Sequence, residues 1–148
     1  MCDALDQSSI KHDVDDMLRK EPTPEDFDNW HRTMCTKLIQ HFTPKVGSRS
    51  TYGRAAKMVA IYLKVTVIIG KDSSCTLAKI AHPPVDRILL NNVSKAIPKV
   101  KHLGNVTWTK LDEDQYFIII DTLRDLVPEG EPFWKIEKFW KIGTLKTT

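Results

Sequence analysis

Asp86 stands nearly alone as an acid in the middle of this chain. Between residues 29 and 111 there are fourteen lysines and arginines against two acids, Asp72 and Asp86. It follows two prolines in His82-Pro83-Pro84-Val85-Asp86-Arg87, a string that opens a helix because proline is tolerated in a first turn. Two chemistries are open to a carboxylate there. It can complement the helix dipole and pair with a nearby cation. Beside bound nucleic acid, it can act as a catalytic carboxylate whose charge stabilises a positive sugar intermediate.

The charge layout supplies a partner for the second chemistry. Residues 29–111 carry +12, residues 1–28 hold nine acids and three bases, and residues 112–148 hold eight acids and five bases. A block that basic is the footprint of a polyanion site, with nucleic acid first among its partners. The alternative is a module whose basic face meets an acidic protein partner or the chain's own acidic ends. Arg54, Lys57 and Lys64 fall at spacings of three and seven, which puts them on one stripe of a helix. Lys99 and Lys101 lie in an acid-free connector, residues 98–110, that ends near Trp108. Tyr52, Trp108 and Trp134 have side chains that can stack on bases.

His31 and Cys35 are one helical turn apart, with His41 nearby, but zinc needs four ligands or three plus water. No matching pair stands out elsewhere, so these residues read as packing, and neither a metal nor a cofactor is expected. The chain has no glycine-rich phosphate loop, no HExxH and no serine nucleophile elbow.

These residues need helices to position them. Ser8 to Lys20 places Ile10, Val14, Met17 and Leu18 at helical spacing. Thr23-Pro24-Glu25-Asp26 is a helix start, and the helix it opens carries Phe27, Trp30, Met34, Leu38 and Phe42 to a stop at Pro44 and Gly47. Ser50 to Ile69 is apolar on nearly every side and reads as a central helix that neighbours must cover, with Met58, Ile61, Leu63 and Ile68 buried. Its β-branched end, Val65 to Ile69, also fits a short buried strand, but nothing elsewhere supplies partner strands. Asp112 with Gln115 three residues later forms a capping box, and a last helix begins at Pro132 with Glu137 and Lys141 paired at i, i+4. The expectation is an all-α fold: a single compact domain of about six helices around a buried central helix. Residues 1–22 form an acidic helix and linker, 23–142 the core domain and 143–148 a tail.

Gly53-Arg54-Ala55-Ala56-Lys57-Met58-Val59-Ala60-Ile61, followed by Pro84-Val85-Asp86-Arg87-Ile88, resembles the helix-hairpin-helix DNA glycosylase superfamily. Leu123 to Pro128 and the Trp-bearing segment Phe133 to Trp140 follow in a similar order, so the resemblance covers residues 50 to 140. It implies DNA before RNA as the partner and base flipping as the mechanism, with phosphates held by Arg54, Lys57 and the 99–101 connector and with Asp86 as the catalytic carboxylate. Ala55 matches the position where lyase-type members carry their lysine nucleophile, so a monofunctional enzyme is implied. The hairpin consensus itself is replaced by Ser48-Arg49-Ser50-Thr51-Tyr52-Gly53. The GRAAK and HPPxDR patterns also resemble small uncharacterised bacterial helical proteins.

The acidic start MCDALDQSS has no secretory pattern, and three cysteines without CxxC spacing read as reduced thiols, so a cytoplasmic location is expected. Cations within the central helix argue against a membrane span.

Overall fold

The computed structural model describes residues 9–46 and 50–144, with the side chains at 43–46 and 141–144 excepted. The fold is all-α, and no strand occurs among the described residues. Helices α1 (Ile10–Lys20), α2 (Pro24–Val46), α3 (Tyr52–Leu63), α4 (Thr76–Ile80), α5 (Arg87–Ala96) and α6 (Glu113–Arg124) are joined by tighter pieces. A π-turn, Lys64–Ile69, extends α3, and 3₁₀ segments cover Pro98–Asn105, Trp108–Lys110 and Phe133–Thr144. No helix among the described residues is long and apolar enough to cross a membrane.

The helix starts follow local chemistry. Thr23 Oγ1 accepts from the Asp26 N–H at 3.1 Å while the Asp26 carboxylate accepts from the Thr23 N–H at 3.0 Å. Asp112 and Gln115 make the expected reciprocal pair at 2.8 and 3.1 Å. Helix α2 continues through Pro44 to Val46, past the stop expected near Pro44; Gly47 lies outside the described residues. Pro83 and Pro84 are not in the first turn of α5. They are buried in the run before it, where each following proline keeps His82 and Pro83 out of the helical region, and Asp86 is the N-cap, with an extended backbone and a side chain that accepts the Leu89 N–H.

Helix α3 packs against α2, α6 and the Trp108–Lys110 turn, while α5 packs against the 98–105 and 133–144 segments. One core joins Ile10 and Val14 of α1 to Leu63 of α3, Leu89 of α5 and Ile120 of α6, so the N-terminal helix belongs to the same body as residues 23–142. Residues 1–8 and 145–148 lie outside the described residues, and 143–144 continue the last 3₁₀ segment.

The central helix is buried on one side only. Leu63 is buried and Met58 and Ile68 are half-buried, but Ile61 is 43% exposed, Val65 59% and Ile69 71%. An apolar run at every position leaves its covered side to the neighbours, and no described element covers this one.

Two glycines fix how α3 sits. Gly53 donates its N–H to the Leu111 carbonyl at 3.1 Å, and a Cβ there would meet the Trp108 carbonyl at 2.1 Å. Thr51 Oγ1 adds a bond to the Thr109 carbonyl at 2.6 Å. The start of α3 is therefore clamped to the turn that carries Trp108. At the other end a Cβ on Gly70 would lie 2.6 Å from the Val65 carbonyl, so the π-turn closes only on glycine.

Candidate functional site: an apolar groove with a basic rim

The uncovered side of α3 forms one wall of a groove of about 390 Å³ lined by Arg54, Lys57, Met58, Ile61, Tyr62, Val65, Thr66 and Trp108. Positions 54, 57/58, 61/62 and 65/66 are successive turns of one helical face, and the glycine contact at position 53 brings the indole of Trp108 against it. No carboxylate lines the groove. Its charge sits at one end, where Arg54 is exposed and makes no ion pair among the described residues. The Lys57 ammonium lies 4.5 Å above the centre of the Trp108 ring and 3.4 Å from Asp86 Oδ2.

Asp86 is thereby engaged twice. Its other oxygen accepts the Leu89 N–H at 2.9 Å as the cap of α5, and it is not among the groove residues. That is the dipole-and-cation arrangement.

Four more sequence candidates, Tyr52, Lys64, Lys99 and Lys101, go elsewhere. Tyr52 is 4% exposed, with its hydroxyl 2.9 Å from His31 Nδ1, so it packs in the core and has no face open to a base. An aromatic at the first position of a helix anchored from both sides turns inward. Lys64 stacks over the Trp140 ring at 4.3 Å and is paired with Glu137. This pair belongs to a separate cavity shared with Trp134, Lys135 and Lys138. The side chain of Lys141, expected to pair with Glu137, lies outside the described residues. Lys99 and Lys101 are exposed on the 98–105 segment and do not line the groove.

A buried polar cluster that sequence reasoning did not assemble lies beneath α3. His82 Nε2 is 2.8 Å from Asp28 Oδ1 and donates to it, and His82 Nδ1 accepts from the Tyr116 hydroxyl at 3.1 Å. Arg124 clasps both Asp28 oxygens at 2.6 and 2.9 Å and reaches Asp121 at 3.2 Å. His31 lies with its ring centre 4.5 Å from that of His82, stacks parallel on Tyr116 at 5.3 Å, and has the Cys35 sulfur 3.7 Å from its Nδ1. Phe27, Phe117 and Phe133 close the cluster from the sides.

Burial sets the protonation states. It drives His82 down to about 4 against the opposing pull of Asp28, and it drives His31 lower than an ordinary imidazole, with the nearby His82 charge adding to the effect. Burial alone would raise Asp28, but its hydrogen bonds to His82 and Arg124 prevail and hold the carboxyl well below the usual range. Burial pushes the Cys35 thiol up to about 12. A thiol held protonated beside a neutral imidazole is the reverse of an activated nucleophile. The cluster ties α2, α3, α6 and the loop before α5 together. Only the i, i+4 pair His31 and Cys35 signals it in sequence; Asp28 and Arg124 are 96 residues apart. Among the described residues no three His, Cys, Asp or Glu side chains gather as metal ligands.

No family model matches the chain, and neither curated proteins nor solved structures give a match.

Proposed function

We propose that the chain is a non-enzymatic protein-interaction module that docks a partner in the groove along α3. The observation that carries this reading is the exposure of Ile61 and Val65, 43% and 59%, within a groove whose floor is apolar and whose cations lie at one end. A contiguous apolar patch with a polar rim is what association surfaces present. The engagement of Asp86 by Leu89 and Lys57 supports binding over base excision.

Nucleic-acid binding is the second reading. It is favoured by the cations that no acid reaches: Arg87, Lys95, Lys99, Lys101 and Lys110 are exposed and form no ion pair among the described residues.

A photo-crosslinking residue at position 65, compared with one at Ile118, which is 66% exposed, tests the choice. Docking in the groove gives a discrete protein adduct from position 65 that Ile61→Asp removes. Equal labelling from both positions, or adducts to nucleic acid alone, rejects the interaction module.

A further inference from the structure

Building on the interaction-module reading, we infer that the groove's occupant is a helix of about three turns, apolar along one stripe and acidic at the end that lies against the start of α3. Three observations lead there.

The first is shape. Met58, Ile61, Tyr62 and Val65 form a ridge at i, i+3, i+4 and i+7 of α3, and such a ridge interlocks with the matching ridge of another helix. A peptide binding as an added β-strand would need a sheet edge to pair with, and the described residues contain no strand. A small molecule needs most of its surface enclosed, whereas Ile61 and Val65 stay largely open to solvent here. The distance from Arg54 to Val65 corresponds to about 16 Å of helix, which sets the length at three turns.

The second is charge. Arg54 and Lys57 stand at one end of the groove, no carboxylate lines it, and Arg54 lacks an ion pair among the described residues. A guanidinium in that position takes a carboxylate through two parallel hydrogen bonds. The groove is therefore polarised, cationic toward the start of α3 and apolar toward the π-turn, and an occupant complementary to it carries the opposite polarity.

The third concerns the chain's own acidic helix. Helix α1 carries Asp13, Asp15 and Asp16, but its apolar residues Ile10 and Val14 are 1% and 4% exposed, spent on the core, and Asp15 is paired with Lys71. It cannot also fill the groove, so the occupant is a separate helix.

A library of randomised twelve-residue helical peptides, selected against the full chain, tests the assignment. Selected sequences should share apolar residues at helical spacing with aspartate or glutamate grouped at one end. Ile61→Asp or Val65→Asp should weaken the selected peptides by roughly tenfold or more, as for a buried anchor. Arg54→Ala should weaken them by about tenfold while sparing versions whose acids are replaced by glutamine. Apolar helices without grouped acids, bound equally by the parent and Arg54→Ala, would overturn this inference and leave the interaction module standing. Selection of nothing sensitive to Ile61 and Val65, alongside salt-dependent binding of a DNA duplex, would overturn both.

Discussion

Behind the rim of the outer groove and in the buried cluster alike, a cation sits beside a carboxylate and aromatic rings, and the two differ in what else the pair holds. At the groove, Lys57 lies over Trp108 and beside Asp86, with side-chain exposures of 28% and 17% for the ion pair. Below α3, Arg124 and Asp28, with similar side-chain exposures of 26% and 15%, meet His82, whose side chain is 1% exposed. No fully buried side chain depends on the Lys57–Asp86 pair, so it can exchange partners at small cost. In the buried cluster, His82 and Tyr116 have no water to fall back on, so losing Asp28 leaves the Nε2 of a buried imidazole without its acceptor. One region is available for binding and the other holds the helices in place.

The largest effect that separates the two regions comes from Asp28→Ala. It strips the acceptor from His82 Nε2 and one partner from Arg124, and it should cost about 3 kcal/mol in chemical denaturation. Arg124 retains Asp121, which keeps the loss at the lower end for a broken buried pair. A loss below about 0.5 kcal/mol, the range of an ordinary surface change, would mean that the cluster does not hold the fold.

Acid should act on the same region. His82 and His31 have lowered proton affinity when folded, so the unfolded chain binds more protons below the ordinary histidine value of about 6.5. Stability is fully present above that pH and falls as pH drops toward about 4, at up to about 1.4 kcal/mol per pH unit for each imidazole. Below the ordinary Asp range the lowered Asp28 carboxyl adds to the loss in the same direction. Urea midpoints measured from pH 7.5 to 4.5 for the parent and for His31→Phe, which fills the same space without titrating, should show a shallower slope in the variant.

Gly53→Ala tests the clamp that joins the regions. The added methyl meets a backbone carbonyl, which cannot swing aside, so a loss of about 1 to 3 kcal/mol is expected. The Trp108 wall should shift with it, visible as a change in tryptophan fluorescence. The smallest effect belongs to Asp86→Asn. Asparagine caps a helix about as well, so only the half-exposed contact with Lys57 is lost, at about 0.3 to 1 kcal/mol.

How much of this was legible in sequence follows from how local each cause is. The caps at Thr23, Asp86 and Asp112 depend on residues within three positions, and their chemistry is visible in the string. The burial of Leu63 follows from a helix that is apolar throughout. Ile61 carries the same apolar signal, yet its exposure depends on which neighbours arrive, and that is not encoded within the helix itself. Tyr52 looks like a stacking residue until α2 brings His31 to its hydroxyl. The buried cluster joins positions 28, 31, 82, 116 and 124, and its partners have no common period or motif. In the candidate site, Arg54, Lys57 and Trp108 were named from charge and aromatic type and do come together. Lys64, Lys99 and Lys101 were named on the same grounds and do not join them, because charge alone carries no direction.

Val65→Asp tests the central claim most directly, with unfolding free energy and affinity for a groove-selected peptide measured on the same sample. Val65 is exposed and contributes little to the core, so stability should remain within about 0.5 kcal/mol of the parent, while binding falls roughly tenfold or more. Unchanged affinity in a folded variant would contradict the assignment of this groove as the binding face.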